Sequence, residues 1–217
     1  MARSLVTEPR ILLLDEPLSA LDANLVVRMQ GVLTKLQKEL GITFVYVTHR
    51  QSEAFAMSDR VAIMNEGKIE QIDSAKGIYR NPATRFVAEF VGANNILTGT
   101  VIATDGEIEI DTPAGRFNCV ESSDHNWSIG DTTSLVISAD LIRLSTSAVN
   151  DKNEMECRFI SEEFVGSIVT VLAETPDGAD FRIQLQQREL SELDLTVGST
   201  VYVRWDSHDA HLLRDTV

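Results

Sequence analysis

Two adjacent carboxylates follow a short apolar run near the start of the chain. The stretch "ILLLDEPLSALD" places Asp15 and Glu16 directly after four apolar residues, with a third carboxylate at Asp22. Acids resist burial, so their position at the end of a buried strand indicates chemistry rather than packing. One carboxylate at a sheet edge can hold a water of a hydrated magnesium ion on nucleotide phosphates. A second can polarise the water that attacks the terminal phosphate.

A histidine follows a second apolar run, "FVYVTHR", which the pattern predicts as a strand parallel to the first. The carboxyl ends of parallel strands meet at one edge of a sheet, where loops form ligand sites. His49 is therefore expected beside Asp15 and Glu16, where its ring can donate a hydrogen bond to a phosphoryl oxygen. Taken alone, His49 would more often be a core histidine, and Asp15 and Glu16 could simply cap a strand edge.

The elements that position these residues alternate between strand and helix. The run "ILLL" suits a strand covered on both faces. A helix with apolar residues every three or four positions follows and stops at Gly41; its apolar positions are Leu25, Met29, Val32, Leu33, Leu36 and Leu40. Strands are predicted over Ile42–Thr48 and Asp59–Asn65, with a helix in "HRQSEAFAMS" between them. This order predicts parallel β-α-β units.

A hairpin and a helix complete this first part. Glu66 and Gly67 predict a turn from the third strand into "KIEQID". The segment Asn81–Gly92 predicts a helix opened by Pro82 near its first turn and closed by Gly92.

After Gly92 the pattern becomes short and alternating, which predicts an all-β region, a small barrel. The predicted strands lie in "NILTGTVI", "GEIEI", "GRFNCV", "TTSLVIS", "GSIVTVLAE", "DFRIQLQ" and "STVYVRW". Two stretches, "VISADLIRLS" and "VRWDSHDAHLLRD", share an outline of strand, acidic turn and leucine-rich close. That outline is a weak sign of internal symmetry.

Charge divides the chain at the same place. Residues 1–92 hold 11 Lys and Arg against 11 Asp and Glu, whereas residues 93–217 hold 8 against 22. The whole net charge of −14 therefore lies in the second part, which argues against nucleic acid as its ligand. Cys119 and Cys157 are too few for a zinc site, and we expect reduced, partly buried thiols.

Three stretches resemble the ATP-binding subunits of ABC importers: "RILLLDEPLSALDANL", "TFVYVTHRQSEAFAMSDRVAIMNEGKIEQID" and "IYRNPATRFVAEFVGANN". The resemblance runs from Ala2 to Asn95. In that family "LLLDE" is the Walker B strand, "SALD" the D-loop, and the histidine after "VT" the switch histidine. A single apolar run ending in Asp-Glu is a weak signal, but the ordered set is specific.

The resemblance implies a role for each site residue. Asp15 would support magnesium through water, and Glu16 would be the catalytic base. Ser19 and Asp22 of the D-loop would contribute to cofactor binding, with Asp22 reporting across a dimer interface. His49 would sense the terminal phosphate and act in catalysis. The chain departs from the family at Arg50, where an aspartate is usual; its side chain could alter the local electrostatics or simply face solvent.

Two motifs of the family do not occur in the sequence. It contains no G-x-x-x-x-G-K-[ST] motif, and Gly67-Lys68 is followed by Ile69. The glycine-rich signature "LSGGQ" is absent too, and "ARSLVTEPR" resembles the helix that follows it. A nucleotide would therefore lack the backbone cradle and the lysine that neutralise its phosphates. We expect a truncated chain that neither binds ATP tightly nor hydrolyses it alone.

Four stretches, mostly in the second part, resemble the OB-like TOBE regulatory domain that often follows the ATPase domain in such importers: "FVGANNILTGTV", "ISADLIRL", "EEFVGSIVTVLAE" and "GSTVYVRWDSHDAHLL". The resemblance implies subunit dimerisation and, in some members, binding of regulatory proteins or small ligands. Trp127 and Trp205 could stack on a ligand, although core or edge packing is the commoner role of tryptophan in a small barrel.

The predicted fold class is thus α/β (a partial P-loop NTPase with a parallel sheet) followed by an all-β OB-like barrel. The predicted domains are residues 1–92 and 93–217. The implied function is part of the ATP-hydrolysing subunit of an importer of polyamines (spermidine or putrescine), using ATP and Mg²⁺. Its partners would be a second ATPase subunit and membrane permease subunits at the cytoplasmic face of the inner membrane, without nucleic acid. The alternatives are an importer of ferric iron, phosphonate or sugar, a DNA-repair or translation ATPase, and a non-enzymatic regulatory or dimerisation module.

Overall fold

A computed structural model of the protein describes residues 9–120 and 126–214, together with Leu5 and Thr7. The chain divides into two compact units, Met1–Ile78 (unit 1) and Tyr79–Val217 (unit 2). Most of the segment assigned to the helix after the signature motif, residues 2–4, 6 and 8, lies outside the described residues. Within the described residues, no helix has the length and apolar character needed to cross a membrane.

Unit 1 contains one parallel and one antiparallel strand pair. Its elements in chain order are β1 (Ile11–Asp15), α1 (Ala23–Leu40), β2 (Thr43–Val47), α2 (Gln51–Met57), β3 (Val61–Asn65), β4 (Lys68–Asp73) and the start of α3 (Ala75–Arg80). β1 and β2 run parallel, with Ile11 opposite Thr43 and Asp15 opposite Val47. The predicted β-α-β unit around α1 is therefore present, and its two strands end at the same edge.

Both ends of α1 are capped as the sequence indicates. The Asp22 carboxylate accepts a hydrogen bond from the Leu25 N–H at 2.9 Å, which satisfies one of the free donors of the first turn. Gly41 ends the helix in the left-handed conformation, with φ of 61°. The buried stripe consists of Val26 and Leu33, whereas the predicted apolar positions at Leu25, Val32 and Leu40 are exposed.

Two sequence predictions for unit 1 are wrong. β1 is covered on one face only: Leu12 and Leu14 are buried, whereas Ile11 and Leu13 are more than 60% exposed. The third strand, β3, does not extend the parallel pair among the described residues but pairs antiparallel with β4. The tight turn at Glu66 and Gly67, with φ values of 48° and 78°, folds β4 directly back on β3, as the sequence predicted.

A buried carboxylate joins α2 to the end of β2. The Glu53 side chain, 2% exposed, accepts hydrogen bonds from the Tyr46 hydroxyl at 2.7 Å, the Thr48 hydroxyl at 3.1 Å and Arg50 Nη1 at 3.0 Å. Burial acts to raise the pKa of Glu53. The hydrogen bonds from Tyr46, Arg50 and Thr48 together outweigh burial, so the pKa lies below its ordinary value.

Unit 2 consists of two five-stranded antiparallel sheets around one core, so the predicted all-β region is confirmed. After the end of α3, its elements are α4 (Arg85–Phe90), β5 (Asn94–Ala103), β6 (Glu107–Thr112), β7 (Gly115–Val120), β8 (Thr132–Ser138), β9 (Arg143–Ser145), β10 (Glu154–Val165), β11 (Ile168–Glu174), β12 (Asp180–Gln186), α5 (Gln187–Leu190), β13 (Thr200–Arg204) and β14 (Ala210–Arg214). The strand orders are β14-β8-β5-β6-β7 and β9-β13-β10-β11-β12.

The two sheets repeat one pattern. β5 to β9 and β10 to β14 follow the same path, and each path sends its last strand, after a short 3₁₀ turn, into the other sheet. The sequence stretches "VISADLIRLS" and "VRWDSHDAHLLRD", which share an outline, lie at these two crossings. Equivalent asparagines begin both paths: Asn95 makes two hydrogen bonds to the backbone of Arg182, and Asn153 makes two to the backbone of Asn118.

Some elements of unit 2 were predicted with other bounds or not predicted. α4 begins at Arg85 rather than beside Pro82, because the Thr84 hydroxyl caps it by accepting from the Val87 N–H. β10 was not predicted. Its alternation of buried Met155, Cys157 and Phe159 is interrupted by a bulge at Ile160, and the residues beyond it are exposed.

The core of unit 2 holds the tryptophans and the cysteines. Trp205 packs against Phe117 at 4.9 Å between ring centroids, and Trp127 is also buried. Cys119 and Cys157 are free, buried thiols, as expected. Burial, helped by nearby carboxylates, raises both of their pKa values to about 12, so the thiolate is not formed at neutral pH.

We predict that Asn153→Ala destabilises unit 2 by about 1–3 kcal/mol, because two backbone groups of β7 lose their partners. Urea unfolding followed by tryptophan fluorescence measures this change, since Trp127 and Trp205 both lie in unit 2. Asn95→Ala should behave alike. The exposed Asn126→Ala is the matched control, and an equal effect of Asn126→Ala and Asn153→Ala would contradict the prediction.

We predict that acid weakens unit 1 through Glu53. A carboxyl whose folded pKa is lowered adds stability above its unfolded value of about 4.3, and this stability is lost as pH falls through the folded pKa. Circular dichroism at 222 nm, dominated by α1 and α2, should show a falling melting temperature below about pH 5. Glu53→Gln should flatten this dependence and cost about 1–3 kcal/mol at pH 7. Glu39→Gln, on the exposed side of α1, should leave the profile unchanged.

Candidate functional site

The carboxyl edge of the β1–β2 pair brings together residues from two distant segments. Asp15, the last residue of β1, lies opposite Val47, the last residue of β2. The Glu16 N–H continues the ladder by donating to the Val47 carbonyl at 2.9 Å. The chain then leaves both strands at the same level, so Glu16 and His49 meet although 33 residues separate them.

Glu16 has an unusual backbone conformation. Its φ of 41° is positive, which costs a residue other than glycine about 1–2 kcal/mol. The turn that follows holds it there: the Ser19 hydroxyl donates to the Glu16 carbonyl at 2.9 Å, and the Ser19 N–H donates to the same oxygen at 3.3 Å. Pro17 follows directly and prevents β1 from continuing. A strained residue at a sheet edge points to a functional position.

The central contact of the site joins Glu16 and His49. His49 Nδ1 lies 2.8 Å from Glu16 Oε1. An ionised carboxylate only accepts hydrogen bonds, so Nδ1 carries the proton and donates it. The ring nitrogen Nε2 is then available to another partner. Both side chains are accessible, with exposed fractions of 68% for His49 and 47% for Glu16.

The other predicted site residues lie close by in sequence but do not join this contact. Asp15 is exposed beside Glu16. Ser19 and Asp22 serve local structure, since Ser19 bonds to the Glu16 carbonyl and Asp22 caps α1. Among residues 9–120 and 126–214, no group of three or more His, Cys, Asp or Glu residues could hold a metal ion. The roles assigned to these residues remain predictions.

Sequence reasoning missed the residues behind His49. Arg50 forms an ion pair with buried Glu53 at 3.0 Å and is 39% exposed, so it does not simply face solvent. The available signal was the spacing Arg50 to Glu53, three residues apart at the start of a helix. Tyr46 and Thr48, which share the Glu53 carboxylate, were predicted only as strand residues.

Comparisons with known proteins find one matching domain family and several similar proteins. Residues 135–213 match the model of the TOBE domain. A "Spermidine/putrescine import ATP-binding protein PotA" from Pseudomonas aeruginosa (strain UCBPP-PA14) is 42% identical over 99% of this chain and 60% of its own length. The protein of that name from Rubrobacter xylanophilus is 38% identical over 98% of this chain and 56% of its own length. The chain thus spans less than two thirds of these relatives.

One solved structure shares the fold. The cytoplasmic molybdate-binding protein ModG superposes with a TM-score of 0.51 at 17% identity, covering 56% of this chain and 96% of that protein. This likeness concerns the fold alone and supports the OB-like assignment of the β sheets. The resemblance found in the sequence is thereby confirmed: the chain is homologous over nearly its whole length to part of the ATP-binding proteins of ABC importers, and it carries a TOBE domain.

Proposed function

We propose that this chain forms the part of an ABC importer's ATP-hydrolysing subunit that contains the catalytic carboxylate, the phosphate-sensing histidine and the regulatory TOBE domain. The transported solute is a polyamine, spermidine or putrescine, in keeping with the names of the relatives. The observation that carries the proposal is the 2.8 Å contact between Glu16 and His49 at the carboxyl edge of a parallel strand pair. This is where ligands bind in α/β sheets.

The geometry suggests a division of labour between the two side chains. Glu16 orients the attacking water and accepts its proton as the bond between the terminal phosphorus and the leaving oxygen breaks. His49 holds the Glu16 carboxylate through Nδ1–H. Protonated Nε2 would donate to a phosphoryl oxygen, so His49 can link the base to the substrate. Both groups are exposed, which leaves access for a nucleotide.

The predicted site would supply only part of the ligand shell of a magnesium ion. Asp15 offers a single exposed carboxylate, which suits an ion that keeps waters and takes its other ligands from phosphate. Bound Mg²⁺ would neutralise phosphate charge. The phosphate cradle and its lysine have no counterpart in the 217 residues, so we assign them to the remainder of the subunit.

β1 and β2 belong to a larger parallel P-loop sheet, with residues 1–92 in the nucleotide-binding domain and residues 93–217 in the regulatory domain. Asp22 and Ser19 contribute to nucleotide binding in a homodimer of ATPase subunits. The subunit binds permease subunits at the cytoplasmic face of the membrane.

A second candidate is a non-enzymatic regulatory or dimerisation module. The observation in its favour is that 56% of this chain superposes on 96% of ModG, a binding protein by its own description. In that case Glu16 and His49 would have no catalytic role.

We predict that the purified chain releases phosphate from MgATP no faster than its Glu16→Gln variant, because the phosphate cradle is missing. A coupled phosphate-release assay over a range of ATP concentrations measures this. Turnover well above that of Glu16→Gln would show that the chain is active without the cradle, against the proposal.

We predict that a chimera, with this chain in place of the aligned segment of the Pseudomonas aeruginosa relative, hydrolyses ATP. Glu16→Gln should reduce kcat by about 10²–10⁴-fold, the usual contribution of a general base, and His49→Ala should also reduce it strongly. Glu39→Gln is the matched control on exposed α1. Full turnover in Glu16→Gln would favour the regulatory module. Restored polyamine uptake in cells lacking the relative tests the solute.

A further inference from the structure

His49 has little side-chain packing to hold its ring. Its side chain is 68% exposed, and its one hydrogen bond within the described residues runs to Glu16, itself 47% exposed. An exposed pair of this kind contributes little stability and does not order its own geometry. The direction of the ring must therefore come from the backbone that carries it.

The backbone on both sides of His49 is tied to one buried group. Thr48, the residue before it, donates its hydroxyl to Glu53 Oε2, and Arg50, the residue after it, donates Nη1 to Glu53 Oε1. The Arg50 N–H also donates to the Thr48 hydroxyl at 3.0 Å, which closes a ring of hydrogen bonds around the His49 backbone. Tyr46 donates to the same carboxylate from within β2.

Glu53 is in turn fixed by its own helix. Its N–H donates to the Arg50 carbonyl at 3.0 Å in the first turn of α2. A charged carboxylate buried without partners is strongly destabilising, so the three donors stabilise Glu53 in its charged form. The arrangement is therefore rigid as a unit: the donors satisfy the carboxylate, and the carboxylate holds the donors.

We propose that Glu53 is a positioning residue, which holds the backbone of His49 so that the ring reaches the Glu16 carboxylate. Arg50 completes the arrangement in this chain, because an aspartate at this position would place a second negative charge beside Glu53. The catalytic meaning of the inference rests on the proposed function. The geometric claim does not, and it can be tested without nucleotide.

The test uses the 217-residue chain and the ring nitrogen signals of His49 in ¹⁵N NMR, assigned with His49→Gln. Glu16→Gln should shift the His49 Nδ1 signal, because its hydrogen-bond acceptor loses its charge. The size of this shift is then measured again in Thr48→Val, Thr48→Ser and Glu53→Gln backgrounds. Thr48→Ser keeps the hydroxyl and Thr48→Val removes it at nearly constant shape, which makes them a matched pair.

The expected result is that Thr48→Val and Glu53→Gln each lose at least half of the shift caused by Glu16→Gln, while Thr48→Ser retains it. A purely structural role of Glu53 would lower the melting temperature without this selective loss. The proposal is overturned if the shift persists in Thr48→Val, or if Glu16→Gln leaves the parent signal unchanged. If Glu53→Gln does not fold, the Thr48 pair still decides. An inactive chimera with an intact NMR result would count against the proposed function alone.

Discussion

The parallel register of β1 and β2 is the constraint on which the candidate site depends. Because Asp15 lies opposite Val47, the residues that follow the two strands leave the sheet together, and Glu16 meets His49. A shift of one residue would turn the side chains of one strand to the opposite face. α1 connects the two strands, and its caps at Asp22 and Gly41 set where the helix begins and ends. The site therefore depends on the pairing of the two strands as well as on its own residues.

Unit 2 uses a different means to fix its geometry, the exchange of equivalent strands. β9 and β14 each complete the sheet that contains the other path's first four strands, so neither path can bury its share of the core alone. Asn95 and Asn153 reinforce the exchange by bonding to the backbone of edge strands β12 and β7. Buried side-chain amides that satisfy two backbone groups at once specify one pairing over its alternatives.

The sequence was informative where local patterns determine structure and less so where distant contacts decide. The periodicity and Gly41 predicted α1, and the apolar runs predicted the pairing of β1 with β2. β10 was not predicted, because the bulge at Ile160 ends its alternation and the residues beyond the bulge are exposed. The sequence left the role of Arg50 open because its partner, Glu53, is buried. A glutamate is usually exposed, so its residue type did not indicate this burial. The turn at Glu66 and Gly67 predicted the pairing of β3 with β4, which is a local contact.

The uncovered face of the β1–β2 pair connects the fold to the proposed function. Residues that lie opposite each other in paired strands project to the same face of the sheet. One face of the β1–β2 pair is therefore an exposed apolar surface, formed by Ile11, Leu13, Val45 and Val47. Leu12 and Leu14 lie on the other, covered face. Parallel sheets are almost always covered on both faces, since both faces are apolar. Among the described residues this apolar face is exposed, and the larger parallel sheet of the proposed nucleotide-binding domain would cover it. The same surface explains why the pattern of "ILLL" misleads: its apolar residues lie on both faces of β1, although among the described residues only one face is buried.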